Sequence, residues 1–142
     1  MTGRTVGRFR RDRGSATLWM VFGTTIVLSV AGLVFDGGAL ISAKRDAIND
    51  AEEAARAGAQ AIDVSSVLAG SGPRLDPAAA TARANEFLTA NGWDGSATAD
   101  LASVTVTVTR HQPMTFLQTF GIGERTVEGT ATARPQQGYA GS

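Results

Sequence analysis

Few residues in this chain are of a type and spacing that do chemistry. The 142 residues include one histidine and no cysteine, which excludes disulfides, thiolate zinc sites and cysteine nucleophiles. His111 stands alone between an alternating segment and Gln112-Pro113. A general acid or base needs a partner to orient it, and none is visible in the sequence, so a surface position is the simpler reading. Gly121-Ile122-Gly123 is too short for a phosphate-binding loop and has no following lysine. Asp36 lies just past a long uncharged run. It reads either as a polar contact at a membrane surface or with a partner's positive group, or as an interfacial charge reached by water, which is the simpler assignment. Residues 1–14 carry Arg4, Arg8, Arg10, Arg11 and Arg13 against Asp12, a net +4, and residues 15–142 carry −4. Such a basic cluster suits nucleic acid or anionic lipid, and lipid is the simpler partner because the cluster abuts the uncharged run. This pattern points to no enzyme, no metal or cofactor, no nucleic acid and no small-molecule substrate.

The uncharged run is the dominant feature. Between Arg13 and Asp36 lie 22 residues without charge. As a helix, Ala16 to Phe35 spans about 30 Å, the thickness of a bilayer's hydrocarbon core. A buried helix of a soluble domain is a poor alternative, because the rest of the chain is too small and Ala-rich to enclose it. A cleaved secretory signal has an apolar region of about 7–15 residues before a small-x-small site. This run is longer, and Asp36-Gly37-Gly38-Ala39 is only a passable site, so a retained span is preferred. Arg8, Arg10, Arg11 and Arg13 are the expected topology determinants, holding residues 1–14 in the cytoplasm. Residues 36–142 are then extracytoplasmic.

The elements of the exported part follow from periodicity. Leu40, Ala43, Ala47, Ala51, Ala54, Gly58 and Ala61 recur every three or four residues, with charges between them, so the membrane helix is expected to run on to about Val64, bent at most at Gly37-Gly38. Ala47, Ala51, Ala54 and Gly58 are small enough to form a close helix-packing face, although alanine also simply favours helix. Residues 70–76 read as a loop. Asp76-Pro77 starts a second helix, with Ala80, Ala84, Phe87 and Leu88 on one face, and Asn91-Gly92 ends it. Residues 101–109 alternate as a half-buried strand with Val104, Val106 and Val108 inward. Pro113 to Phe120 is expected as a short helix closed by Gly121. Arg125 to Arg134 alternates again and should pair antiparallel with the first strand.

The expected fold class is α+β: a long N-terminal helix, half transmembrane and half exported, a second helix, and a small antiparallel β-sheet. The expected organisation is a basic leader at 1–14, a transmembrane helix at 15–35, an extracytoplasmic domain at 36–134 and a flexible tail at 135–142.

Several of these stretches resemble a known family. Arg11-Asp12-Arg13-Gly14-Ser15-Ala16-Thr17 before the span, Val34-Phe35-Asp36-Gly37-Gly38 after it, and an Ala-rich helix with Asn49-Asp50-Ala51 and Ala54-Ala55 look like the N-terminal region of TadE/TadG-like proteins of the Flp (Tad) pilus machinery, of an actinobacterial type. Thr115-Phe116-Leu117-Gln118-Thr119-Phe120-Gly121-Ile122-Gly123 and Thr126-Val127-Glu128-Gly129-Thr130-Ala131-Thr132-Ala133 are similar to them as well. The resemblance implies a minor pilin or assembly component, with the lipid bilayer, other pilin-like subunits or Tad secretion machinery as partners. It also implies a prepilin peptidase site between Gly14 and Ser15. The fifth residue after Gly14 is Trp19, where such leaders usually carry Glu. A membrane-tethered extracytoplasmic binding module without a pilus role is a second reading. A third, a secreted soluble protein, follows if the chain is cut at Asp36–Ala39.

Overall fold

The computed structural model describes residues 12–135. Arg4, Arg8, Arg10, Arg11, the side chain of Arg13 and the tail beyond Pro135 lie outside the described residues. Helix α1 occupies Asp12–Gly58, about 70 Å of continuous helix. It passes through Gly37-Gly38 without a break. It ends six residues earlier than the periodicity predicts, because the chain beyond it pairs elsewhere. Ile62 bridges Leu75, the Asp63 N–H donates to the Arg74 carbonyl at 2.8 Å, and the Asp76 N–H donates to the Ala61 carbonyl at 3.0 Å. This local pairing outweighs the helical propensity of the preceding alanines. Asp63 then caps a short helix, α2, at Val64–Leu68, which the sequence reading did not anticipate.

Helix α3 occupies Pro77–Ala90. The Asp76 carboxylate accepts from the N–H groups of Ala78 and Ala79, proline takes the first position and Asn91 closes the end, so both termini follow the expected capping chemistry. Gly92, at φ 68°, makes the left-handed turn out of it. Ala80, Ala84 and Leu88 are buried, and Phe87 is half-buried.

Three antiparallel strands follow in the order β1-β2-β3: β1 at Asp94–Ala99, β2 at Val104–Pro113 and β3 at Glu124–Ala133. Strand β1 is an addition to the two strands read from the sequence. It contains no large apolar residue and buries only Ala97, so it carries almost no strand signal of its own and forms by pairing along β2. Strand β2 begins at Val104 and runs on to Pro113, into the segment expected to open a helix. Only Leu117–Phe120 is helical there, as a single 3-10 turn closed by Gly121 at φ 85°.

The sheet has two unlike faces, as a period of two dictates. Val104, Val106 and Val108 are fully buried under α1 and α3 with Ala47, Ala51, Ala54, Ala80, Ala84 and Leu88. The other face is hydroxyl-rich: Thr105 pairs with Thr132 at 3.0 Å and Thr107 with Thr130 at 3.1 Å. The core is built from small side chains, so it depends on close approach of backbones more than on bulk.

Candidate functional site

The first half of α1 is apolar and open on nearly every side. Trp19 is 76% exposed, Phe22 70% and Val34 69%. Among the described residues this is one helix long and apolar enough to cross a membrane. Thr24, Thr25 and Ser29 return their hydroxyls to carbonyls four residues back, so they present no unsatisfied polar group to an apolar surrounding. Gly14 and Ser15 lie in the first turn of this helix.

Asp36 corrects the sequence reading. It is not an interfacial charge reached by water but a buried group, 2% exposed. Its carboxylate accepts the N–H of Thr115 at 3.0 Å, of Phe116 at 2.9 Å and of Leu117 at 2.7 Å. Three amides at the start of a helical turn converge on one carboxylate, the arrangement of a helix cap supplied by a distant element. The side chain is short, so the β2–β3 loop is tied against α1 at that height. Phe116 sits against Gly32, where a Cβ would come within 2.9 Å of its ring, and packs edge-on to Phe35 with ring centroids 5.5 Å apart. Gly32 provides the room that any larger residue would fill. The segment Thr115-Phe116-Leu117 was legible as a motif, but the partner of Asp36 was not, because 79 residues separate it from Thr115.

Beyond the clamp, α1 turns from a helix exposed all round to one with a single buried face. Ala47, Ala51 and Ala54 have no exposed surface and Gly58 is buried. The structure brings these four residues together against the chain's own sheet and α3. A Cβ added to Gly129 would fall on the backbone of Ala47 and Ile48, well inside 3.0 Å, and one on Gly58 would meet the Ala80 carbonyl and Val104. Polar ties flank this contact. Arg110, which projects from the helix-facing side of β2, gives its Nε to the Asp50 carboxylate at 2.8 Å and its Nη2 to the same oxygen. Lys44 Nζ donates to the Glu128 carbonyl. Neither tie was read from the sequence; the signal for Asp50 is a charge on the alanine side of α1, and for Arg110 a charge at a core-facing register position.

His111 is not without a partner: Nδ1 lies 2.9 Å from Glu124 on β3, with both side chains more than half exposed. The pair is a solvent-facing cross-strand contact.

The helix that joins span to domain is also what known proteins share with this chain. Residues 14–61 match the family model described as "Putative Flp pilus-assembly TadE/G-like". This segment is similar to that family over about a third of the chain. It contains the span, Asp36 and the whole small-residue face, and it stops where α1 gives way to the Ile62–Leu75 bridge. The similarity noted at residues 115–133 lies beyond the match. No curated protein and no solved structure matches the chain.

Proposed function

We propose that the chain is a single-pass membrane component of a Flp-type pilus or related secretion system, acting in assembly rather than in catalysis. The observation that supports this reading best is a coincidence of boundaries. The TadE/G-like match at residues 14–61 covers a helix that, among the described residues, is lipid-compatible in its first half and lends one face to the domain core in its second. In this reading residues 1–14 stay in the cytoplasm, residues 15–35 cross the membrane and residues 36–134 stand outside it, with the leader arginines setting the orientation. Partners are the bilayer and other pilin-like subunits or Tad machinery, and no substrate or cofactor is required.

Whether the protein enters a fibre turns on the bond between Gly14 and Ser15. A peptidase at the cytoplasmic face would find this bond at the start of the helix, and glycine lets it approach the backbone closely. Trp19 gives no carboxylate to pair with a neighbouring subunit's new amino terminus, which favours a fixed assembly factor over a fibre subunit. Two measurements test the reading. A reporter fused after Ser142 is expected to be active outside the membrane, and activity in the cytoplasm refutes the topology. Intact-mass and N-terminal analysis of protein from its native membrane separates the roles: a start at Ser15 places it among processed pilins, and a start near Met1 leaves an anchored assembly factor.

A further inference from the structure

The loop that Asp36 holds is aimed at the wrong height for a loop in water. Phe116 packs at Gly32, four residues and about 6 Å inward from Asp36 along the helix, within the uncharged run. From Pro113 to Gly123 the loop carries no charged residue. Phe120 is 71% exposed and Phe116 48%. The exposed apolar surface is continuous with the span: Leu28, Leu33 and Gly32 on α1 line one groove with Phe116, Leu117 and Phe120. Because three N–H groups solvate the Asp36 carboxylate inside the protein, its charge needs no water there and does not mark a water boundary. On α1 the first exposed charge after the span is Lys44. The apolar belt therefore extends past Phe35 through Ile41, itself 59% exposed.

We propose that the β2–β3 loop is a second membrane contact, with Phe120, Leu117 and Ile122 seated among the lipid acyl chains of the outer leaflet beside α1 and Asp36 acting as the clamp that fixes its depth. Phenylalanine, leucine and isoleucine side chains all favour the apolar region of a bilayer over water. The backbone polar groups of the loop fit such a setting. Thr115, Phe116 and Leu117 donate to Asp36, Ile122 donates to the Leu117 carbonyl and Gly121 to that of Gln118, so the turn buries few unsatisfied groups in lipid. The effect is to seat the domain at one height and one rotation on the membrane, which a single helix does not do.

The proposal rests on the membrane-anchored reading, and the test keeps the two apart. The chain has no cysteine, so single cysteines can be spin-labelled in the full-length protein in phosphatidylcholine vesicles with a minority of phosphatidylglycerol. Labels go on Leu28→Cys in the span, Phe120→Cys and Ile122→Cys in the loop, and Thr107→Cys on the hydroxyl face of the sheet. Relative accessibility to oxygen and to a polar nickel chelate reports depth. At 120 and 122 the label is expected to favour oxygen as at 28, with the ratio reversed at 107. Nickel accessibility at 120 and 122 equal to that at 107, with 28 still lipid-like, overturns the loop contact and leaves the anchor. A water-like label at 28 refutes the anchor itself. Dipolar broadening at 120 and 122 puts a second copy where the lipid should be and also overturns the proposal. Agreement of the two loop positions guards against a local disturbance at either one.

Discussion

Gly129 is the position where a single methyl group should do the most damage. In β3 it faces α1, opposite Val108 across the ladder, and a Cβ there would coincide with the backbone of Ala47 and Ile48. A flexible side chain could swing away, but the helix backbone cannot, so Gly129→Ala must push α1 off the sheet. Overpacking a core typically costs about 1–3 kcal/mol, and a rigid backbone neighbour puts this case near about 3. For a domain of roughly 100 residues each kcal/mol lowers the melting temperature by about 4–8 °C, so the expected fall is about 12–24 °C. The control is Gly123→Ala, where nothing lies within 4 Å and φ is not positive. That change restricts the unfolded chain equally and should leave stability level or raise it by up to about 1 kcal/mol. Trp93, half-buried and edge-on to Phe87 at 5.8 Å, reports unfolding of the domain in detergent micelles. Melting temperatures of the two variants within about 2 °C of each other would refute the close helix–sheet contact.

Asp36→Asn leaves one acceptor oxygen for three N–H donors, and its own amide hydrogens oppose them. Hydrogen exchange at Phe116 and Leu117 should therefore accelerate while Val106 stays protected, and unchanged protection at 116–117 would mean that the loop is held by its phenylalanines alone. Arg110→Ala strands the nearly buried Asp50 carboxylate and should destabilise by about 1–3 kcal/mol; Arg56→Ala, which breaks an exposed pair with Glu52, should cost no more than about 0.5. Denaturant melts of the two compare directly. The hydroxyl and amide of Ser65 hold the Asp63 carboxyl below its ordinary 3.8, and the amides of Ala102 and Ser103 do the same for Asp100. Both folded values lie below the unfolded ones, so the stability they add is full above the unfolded value and is lost as pH falls through the folded one. Melting temperature should decline below about pH 4, and the decline should be shallower in an Asp63→Asn, Asp100→Asn double variant.

What was legible in the sequence was what short-range physics writes there. The span shows as an absence of charge, α3 as Asp76-Pro77 at one end and Asn91-Gly92 at the other, and β2 as alternating valine and threonine. Strand β1 was missed because Asp94-Gly95-Ser96-Ala97-Thr98-Ala99 has no inward-facing bulk, and its Gly95 lies so close to Thr107 that no Cβ fits. The end of α1 was misplaced because the alanines continue while the backbone is drawn into the Ile62–Leu75 bridge. Asp36 was misread because an aspartate at a membrane edge looks the same whether water or a distant backbone satisfies it. Each miss is a long-range partner overriding a local signal.

The small-residue face of α1 bears on how the protein meets its neighbours. A close-packing stripe could serve contacts between subunits or within one, and the answer changes which surfaces remain for assembly. Ala47, Ala51, Ala54 and Gly58 are covered by β2, β3 and α3. A second subunit could reach that stripe only by displacing the sheet, which would expose the valine core of the whole domain. What α1 offers to other molecules is therefore its apolar first half, Ser15 to Ile41, and the charged outer face of its second, with Lys44, Arg45, Glu52, Glu53 and Arg56 exposed. Small residues on the first half, Gly23 and Ala31, are spaced eight apart with nothing packed on Gly23, so helices could approach closely on that side. Gly32 is taken by Phe116. Along one helix, α1 is thus exposed on nearly every side in its first half and buries a single small-residue face against the sheet and α3 in its second.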